Sequence, residues 1–510
     1  MAVMSSSSFL RCFLLLLLLD ASRAFDLQEA TIDSIQHAFA AGNLTSRELV
    51  ELYLDRIRSL NELLLAVIEV NPAALREADA ADRERLSGRG GCLHGVPVLL
   101  KDNIATHGGD GLNTTAGSFA LLGSSAPRDA GVVRRLRRAG AVVLGKANMA
   151  EWANFRSFVA PSSWSARGGQ ARNPYVLSAS PCGSSSGSAI SAAANLAAVT
   201  LGTETDGSII CPSHLNSVVG IKPTVGLTSR AGVIPVSTRQ DTIGPLCRTV
   251  SDAVQVLDVI VGFDKDDAAA TRAASKYIPA GGYKQFLNVN GLKGKRIGIL
   301  RRFFDFSSTD SSYKNAVFES HFGTMRQKGA ILIDDLEIAN SSIILDVTQS
   351  GEGVALLAEF KLALNSYLSD LSSSPVKSLA DVIEFNNQHS AEERLDEFGQ
   401  PIFLAAENTS GIGATERSAI ARMSQLSKQG LEKLMVEKRL DAVVAANSNA
   451  ATIFAIGGYP AISVPAGYGG DGIPFGLCFG GLRGSEPRLI EMAYGFEQAT
   501  LVRKPPSFRE

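Results

Sequence analysis

Two clusters rich in serine and glycine flank an apolar run in residues 180–208, SPCGSSSGSAISAAANLAAVTLGTETDGS. A flexible linker would repeat glycine and serine without an ordered apolar run between them. The run from Ala189 to Leu201 is mainly Ala, Leu, Ile and Val, which predicts a small-residue helix over Gly187 to Leu201 with a tight loop at each end. The hydroxyl groups of these loops could act as nucleophiles if a base lies beside them.

A lysine upstream is the best candidate for that base. Lys101 ends the apolar segment VPVLLK, which predicts a strand feeding a loop. A lysine there should be largely desolvated, and desolvation lowers its pKa because it disfavours the charged form. A neutral lysine can take a proton from a serine hydroxyl. The same position also suits a structural lysine that pairs with Asp102 or extends to the surface.

The TETDGS loop could supply the donors that such a serine needs. In Thr205-Asp206-Gly207-Ser208, a serine follows consecutive backbone N–H groups in a tight turn, and such a turn can form an oxyanion hole. Gly207 leaves the backbone free to bend there. The CGSSSG loop also precedes a predicted helix, but it lacks the G-K-[ST] ending of a phosphate-binding loop.

Histidine and metal chemistry find less support. The chain has six histidines, and none lies in HExxH or another metal-ligand spacing. The serines also do not form a G-x-S-x-G nucleophile elbow between a strand and a helix. A Ser-His-Asp hydrolase stays open but has no motif to support it, and the residues favour a Ser-Lys arrangement. The histidines are His37, His94, His107, His214, His321 and His389.

Strands alternate with helices along the chain, which predicts a layered α/β domain with a mixed, buried sheet. Residues 365–425 are more polar and helical, and are expected to form an insertion or cap over one end of the sheet. Helices are predicted within residues 28–68, with Thr45 or Ser46 as a cap, and over 129–140 and 312–328; strands are predicted within 94–104, 141–148, 295–300, 330–335, 440–446 and 461–467.

The composition is that of an ordinary globular protein. The 510 residues are 45% hydrophobic and 20% charged, with a formal net charge of −2. This balance gives no electrostatic reason to expect nucleic acid or an anionic membrane surface as a partner. Apart from the N-terminal region, no stretch predicts a membrane span.

Residues 1–24 predict a cleaved signal peptide: Arg11 precedes the apolar run from Cys12 to Leu19, and Ser22-Arg23-Ala24 offers small residues for cleavage. We therefore expect the secretory pathway, with an extracellular or vacuolar location; the alternative is a plastid or mitochondrial transit peptide. Four sequons would then be available for glycosylation, at Asn43, Asn113, Asn340 and Asn408.

Five of the six cysteines lie outside the predicted signal peptide. They are scattered along the chain and predict neither a disulfide framework nor a metal site. Cys182 and Cys211 flank the two serine loops. We expect both to be buried small residues rather than redox switches.

Several motifs together carry a family resemblance. With GVPVLLKDN, PCGSSSGSA, LGTETDGSII, VVGIKPTVGLTSR, GGYPAISVPAG and DGIPFGLCFGG, the chain resembles the amidase signature family from about Phe25 to Pro506. The resemblance implies an α/β fold with a mixed central β-sheet covered by helices on both faces. It also implies one amidase domain over 25–510, with a catalytic core at about 90–260 and a helical insertion at about 340–430.

The resemblance further implies a Ser-cis-Ser-Lys triad. Lys101 would be the base, Ser184 the middle serine after a cis peptide bond, and Ser208 the nucleophile. The N–H groups of Thr205, Asp206, Gly207 and Ser208 would form the oxyanion hole. Neither a metal nor an organic cofactor is expected.

Within the family, EWANFRS, SWSARGGQARNPYVLSASPCGSSSGSA and QDTIGP look closest to bacterial peptide amidases and their plant relatives. That implies hydrolysis of a carboxamide, such as the C-terminal amide of a peptide, to a carboxylate and ammonia. Asp241 in QDTIGP and Arg172 or Asn173 in ARNPY could orient loops around the site or be structural. The family usually has a Pro-Thr or Pro-Gly pair where this chain reads AANSNA (445–450), which leaves the pocket shape open.

Three other functions stay open. A glutamine-dependent aminoacyl-tRNA amidotransferase A-type subunit would associate with a second subunit, but such subunits usually read T-G-G-S-I-R-Q-P where this chain has Asp206, Ile210 and Cys211. A fatty acyl amide hydrolase would need a long apolar channel. A non-catalytic binding module on the same fold would not need all three triad residues, and all three are present. The oligomeric state has no signal in the sequence.

Overall fold

A computed structural model describes residues 25–306 and 310–510, so the predicted signal peptide lies outside the described residues. Within these ranges, eleven strands form one sheet in the order β1-β3-β2-β6-β8-β7-β12-β13-β11-β9-β10, and β4 and β5 form a separate pair. The strands are β1 (Val67–Val70), β2 (Pro97–Lys101), β3 (Val142–Ala147), β4 (Trp164–Ser165), β5 (Gly169–Gln170), β6 (Val199–Glu204), β7 (Val219–Lys222), β8 (Thr242–Cys247), β9 (Arg296–Ile299), β10 (Ile331–Ile333), β11 (Ala442–Ala446), β12 (Ala461–Tyr468) and β13 (Pro474–Gly480).

The sheet is mixed, as predicted. Strands β3, β2 and β6 run parallel to one another toward one end of the sheet, where β1 adds an antiparallel edge strand, and β11, β9 and β10 run parallel to one another at the other end. Strands β8, β7, β12 and β13 join the two groups through antiparallel pairings. Because β2 and β6 are parallel neighbours, their carboxyl ends lie at the same edge of the sheet.

Helices cover both faces of the sheet. Successive residues of β11 show this, because they pack into different apolar clusters. Val444 of β11 belongs to the apolar cluster of Phe322 and Phe496, whereas Val443 belongs to that of Met423 and Phe454. The α-helices are Ile32–Ala40, Ser46–Leu64, Ala74–Leu86, Gly131–Arg138, Ser186–Ala193, Ile210–Leu215, Val250–Ile260, Ala268–Ala274, Ser311–Gln327, Ser341–Ile344, Glu352–Asp370, Leu379–Gln388, Leu395–Phe398, Pro401–Glu407, Ala414–Ser427, Lys433–Lys438, Ala451–Gly457 and Glu486–Thr500.

The prediction of one helix over Gly187 to Leu201 is wrong. The helix ends at Ala193, and β6 begins at Val199. Asn195 makes the break, with a φ of 62° and a side-chain amide that donates to the carbonyl of Leu27. Periodicity alone does not separate a buried helix from a buried strand in a run this apolar.

Several helices lie between Ser341 and Ser427, the region for which a helical insertion is predicted. Phe360 and Leu364 of the helix Glu352–Asp370 pack in one apolar cluster with Trp152 and Phe155, which follow β3. This cluster is separate from the two that flank β11. The helical segment therefore rests on the loop that leaves β3, beside the carboxyl ends of β2 and β6.

Candidate active site

Lys101 is the last residue of β2 and is fully buried. Its Nζ lies 2.7 Å from the Oγ of Ser184, 2.8 Å from the Oγ1 of Thr203 and 3.1 Å from the Thr203 carbonyl oxygen. Thr203 lies in β6, the parallel neighbour of β2. The lysine therefore reaches across the shared edge of the two strands to the serine loop.

Burial lowers the pKa of Lys101 to about 7, because desolvation disfavours the ammonium form. The negative charges of Asp241 and Glu204 oppose that shift. A substantial fraction of the amine is therefore neutral near pH 7, and a neutral amine can accept the Ser184 proton. The alternative of a Lys101–Asp102 pair is not what the structure has, since the Asp102 carboxylate accepts hydrogen bonds from Thr115 and Gly117.

Ser184 lies in the loop before the helix Ser186–Ala193. The Gly183–Ser184 peptide bond is cis, as the family resemblance implies. A Cβ atom at Gly183 would lie 1.8 Å from the Ser162 carbonyl oxygen, so this close approach requires glycine. The carbonyl oxygen of Ser184 accepts a hydrogen bond from the N–H of Ala150, which holds the loop against the end of β3.

Ser208 lies in the loop that follows β6, and two acidic residues shape this loop. The Oε2 of Glu204 accepts hydrogen bonds from the N–H groups of Ile209 and Ile210, and the Oδ1 of Asp241 accepts one from the Thr205 hydroxyl. Gly207 has a φ of +76°, which glycine adopts without strain. The result is a tight turn from Thr205 to Ser208.

Two links join the loops of Ser184 and Ser208. The N–H of Ser185 donates to the Ser208 carbonyl oxygen at 3.2 Å. A disulfide also connects Cys182 with Cys211, at a Cα–Cα distance of 5.9 Å. The prediction that these cysteines are simply buried small residues outside any disulfide is therefore wrong. They are 29 positions apart, and the fold alone brings their loops together.

A cavity of about 270 Å³ opens beside the two serines. Ser184, Ser208, Thr205 and Asp206 line it, and the helical segment contributes Glu352. The remaining lining residues are Ala153, Asn154, Phe155, Phe158, Ser162, Gly183, Val236, Leu345, Val347, Leu356 and Thr452.

The carboxyl groups of Asp206 and Glu352 are both desolvated, which raises the pKa of each. The nearby charge of Glu352 raises the pKa of Asp206 further. The Oδ2 of Asp206 accepts a hydrogen bond from the Thr452 hydroxyl, and the Oε1 of Glu352 accepts one from the Gln240 amide. Sequence reasoning missed Glu352 and Thr452, which lie far along the chain from either serine loop; Gln240 could have been found, since it begins the QDTIGP motif.

Asp241 contacts the turn that carries Ser208, whereas Arg172 and Asn173 do not line the cavity. The Asn173 amide donates to the carbonyl oxygens of Leu215 and Ser180, which is a structural role in the loop before Ser184. Arg172 is exposed. Residues 445–450 are also absent from the lining residues of this cavity.

No histidine is among the described residues that line the cavity beside the two serines. The Nε2 of His214 lies 3.4 Å from the Ser448 hydroxyl, and His214 makes no hydrogen bond to Ser184. Residues 25–306 and 310–510 contain no group of three or more His, Cys, Asp or Glu side chains arranged to hold a metal ion. Among the helices of the same ranges, none has the length and hydropathy required to cross a bilayer.

Comparison with known proteins defines the class. The family model "Amidase" matches residues 48–454, and the chain belongs to this family. The predicted fold class and the amidase signature resemblance are confirmed. The protein is an amide-hydrolysing enzyme.

Individual relatives agree with this. A probable amidase of Arabidopsis thaliana is 59% identical over 490 residues, which cover 96% of this chain and 93% of the relative. The native peptide amidase of Stenotrophomonas maltophilia has 44% sequence identity and a TM-score of 0.87, covering 94% of this chain and 99% of its own. The A-type subunit of a glutamyl-tRNA(Gln) amidotransferase from Acinetobacter baumannii is 31% identical over 503 residues, covering 93% of this chain and 97% of the relative.

Proposed function

We propose that this protein is a serine amidase that hydrolyses the carboxamide of small or peptide amides to a carboxylate and ammonia. One observation carries the proposal: the desolvated amine of Lys101 lies 2.7 Å from the Ser184 hydroxyl, beside the cavity that Ser208 lines. The similarity to a peptide amidase of known structure favours the C-terminal amide of a peptide as the substrate.

In the acylation step, neutral Lys101 takes the proton of Ser184 while Ser184 takes the proton of Ser208. The Ser208 oxygen attacks the amide carbon. The backbone N–H groups of the Thr205–Ser208 turn stabilise the oxyanion, and losing one such donor would raise the barrier by about 3–4 kcal/mol. Ser184 then gives its proton to the amide nitrogen and takes one back from Lys101, the C–N bond breaks and ammonia leaves.

In the deacylation step, water attacks the Ser208 ester along the reverse proton relay. The acyl group leaves as a carboxylic acid, and Ser208 regains its proton. Every proton in this scheme moves between Lys101, Ser184, Ser208, the substrate and water.

Ammonia release from the purified mature chain tests the proposal. The substrates are a peptide amide, a simple aliphatic amide, glutamine and a fatty acyl amide. We expect preferential release from the peptide amide, no release by Ser208→Ala, and wild-type release by Ser178→Ala, a matched change at an exposed serine of the same region. Turnover by Ser208→Ala would refute the assigned nucleophile.

The results with the other substrates distinguish the alternative functions. Release from glutamine that depends on an added partner subunit would favour an amidotransferase A-type subunit. Release from the fatty acyl amide alone would favour a lipid amidase. A folded protein that is silent with all four substrates would favour a binding module.

We also propose that the chain enters the secretory pathway. The Cys182–Cys211 disulfide supports this, because disulfides persist mainly in oxidising compartments. Three of the four sequon asparagines, Asn43, Asn340 and Asn408, are exposed. Expression in cells that process signal peptides tests the proposal: we expect a secreted, glycan-bearing chain that begins near Phe25, whereas import into isolated plastids or mitochondria would contradict it.

A further inference from the structure

We infer that the cavity selects amides whose acyl part carries a cation or an N–H donor and rejects those that carry an anion, with Glu352 as the specificity-determining residue. This inference rests on the proposed amidase function and names its substrate class. It follows from the charges of the cavity wall and from the place of Glu352 on it.

The ionisable side chains among the described residues that line the cavity are Asp206 and Glu352, and both are acidic. The wall contains no lysine, arginine or histidine within the described ranges. An anionic acyl group would therefore lose its hydration without gaining a counter-ion, which is costly in a partly desolvated cavity. The same physics disfavours retention of the carboxylate product.

Glu352 has an oxygen available to a ligand. Its Oε1 is occupied by the Gln240 amide at 2.7 Å, whereas no described residue donates a hydrogen bond to Oε2. The side chain is nearly fully buried in the protein and lines the same cavity as Ser208. Glu352 is also the first residue of the helix Glu352–Asp370, where the positive end of the helix dipole favours a carboxylate.

Asp206 is the weaker candidate for the specificity-determining residue because it lies in the turn that carries Ser208. Its Oδ2 accepts the Thr452 hydroxyl at 2.7 Å, and its backbone belongs to the turn that carries Ser208. A substitution of Asp206 would therefore disturb catalysis and selectivity together. Glu352 is the better residue to test, since it lies on a separate element and its hydrogen-bonded link to that turn runs through Gln240.

Three N-acetylated amides of similar size form the test: those of lysine, norleucine and glutamic acid, each with an α-carboxamide. We expect kcat/KM to fall in that order, with roughly 10- to 100-fold between lysine and glutamic acid. Glu352→Gln keeps an acceptor for Gln240 and removes the charge, so the ratio should fall to a few-fold. Asp370→Asn, an exposed carboxylate at the far end of the same helix, should keep the wild-type ratio.

The selectivity is also measurable without the Glu352 variant. Calorimetric binding of the three amides to Ser208→Ala should give the same order of affinity in a protein that cannot turn them over. Equal kcat/KM for the lysine and glutamic acid amides, or an unchanged ratio in a folded Glu352→Gln variant, would overturn the inference while leaving the amidase function intact. Silence with the norleucine amide as well would instead refute the proposed function, and the inference with it.

Discussion

The amine of Lys101 and the hydroxyl of Ser184 are 2.7 Å apart although 83 positions separate them in the chain. The parallel pairing of β2 with β6 explains how they meet. Lys101 ends β2, and Thr203 near the end of β6 holds the lysine with a second hydrogen bond. Two strand ends and one loop therefore build a site from segments that are remote in the sequence.

The pH dependence of hydrolysis should report the Lys101 amine. The base works in its neutral form, so kcat/KM should rise with pH through about 7 and level off above it, with a slope of about tenfold per pH unit on the acid side. Lys101→Arg stays protonated over this range and should lose nearly all activity. A wild-type profile that is flat between pH 6 and 8 would contradict the lysine as base.

Neutralising Asp241 should shift that profile. The charge of Asp241 raises the pKa of Lys101, so Asp241→Asn should move the rising limb to lower pH by less than about one unit. The plateau should also fall, because the carboxylate accepts the Thr205 hydroxyl and the N–H groups of Val236 and Ser237. The measurement is kcat/KM from pH 5 to 9.

Asp396→Asn, at an exposed site in the helical segment, is the control for the loss of one negative charge. Its profile should overlay that of the wild type. A shift of the Asp241→Asn limb to higher pH would show that the electrostatic argument has the wrong sign.

Removing the Cys182–Cys211 disulfide should destabilise the protein. The bridge closes a loop of 29 positions, for which the chain-entropy model gives roughly 3–4 kcal/mol of unfolding free energy. The double serine variant and the reduced wild type should show similarly lower urea midpoints. Cys92→Ser, at a free half-buried cysteine, should behave like the oxidised wild type, and an insensitive midpoint in the double variant would disprove the contribution.

Replacing Arg156 should also destabilise the fold. Its buried guanidinium pairs with Glu151 and Glu393 and donates to the carbonyl oxygen of Gly399, so it joins the loop after β3 to the helical segment. Arg156→Met leaves two buried carboxylates without a counter-ion, and should cost about 3–5 kcal/mol at neutral pH. Urea unfolding of the variant measures this cost.

The carboxyl groups of Glu151 and Glu393 determine how the stability of the Arg156 variant changes with pH. Desolvation and the charge of Glu393 already raise the pKa of Glu151, and loss of Arg156 raises it further. The folded variant therefore binds more protons than the unfolded chain, and its deficit should shrink as pH falls from 8 to 5. Arg58→Ala removes an exposed pair with Asp55 and should change the free energy of unfolding by less than about 1 kcal/mol at either pH.

The local sequence was enough for much of the fold. Apolar runs bounded by glycine, proline or charge located strands such as β2, β3 and β12, and Thr45 caps the helix Ser46–Leu64 as its residue type predicted. The exception is instructive: in the run from Ala189 to Leu201, a helix and a strand are both fully buried, so the hydrophobic pattern carries no period that tells them apart.

The sequence by itself determined the loops that carry Lys101, Ser184 and Ser208, because their residue types and order form motifs within short segments. The tertiary structure decided which side chains meet: the Cys182–Cys211 bond and the placement of Glu352 in the cavity wall depend on packing between distant elements. Such contacts are set by the burial of whole strands and helices and leave no periodic signal at the residues themselves. Short local motifs therefore identify the candidate catalytic residues, whereas the packing of distant elements sets the shape and charge of the substrate cavity.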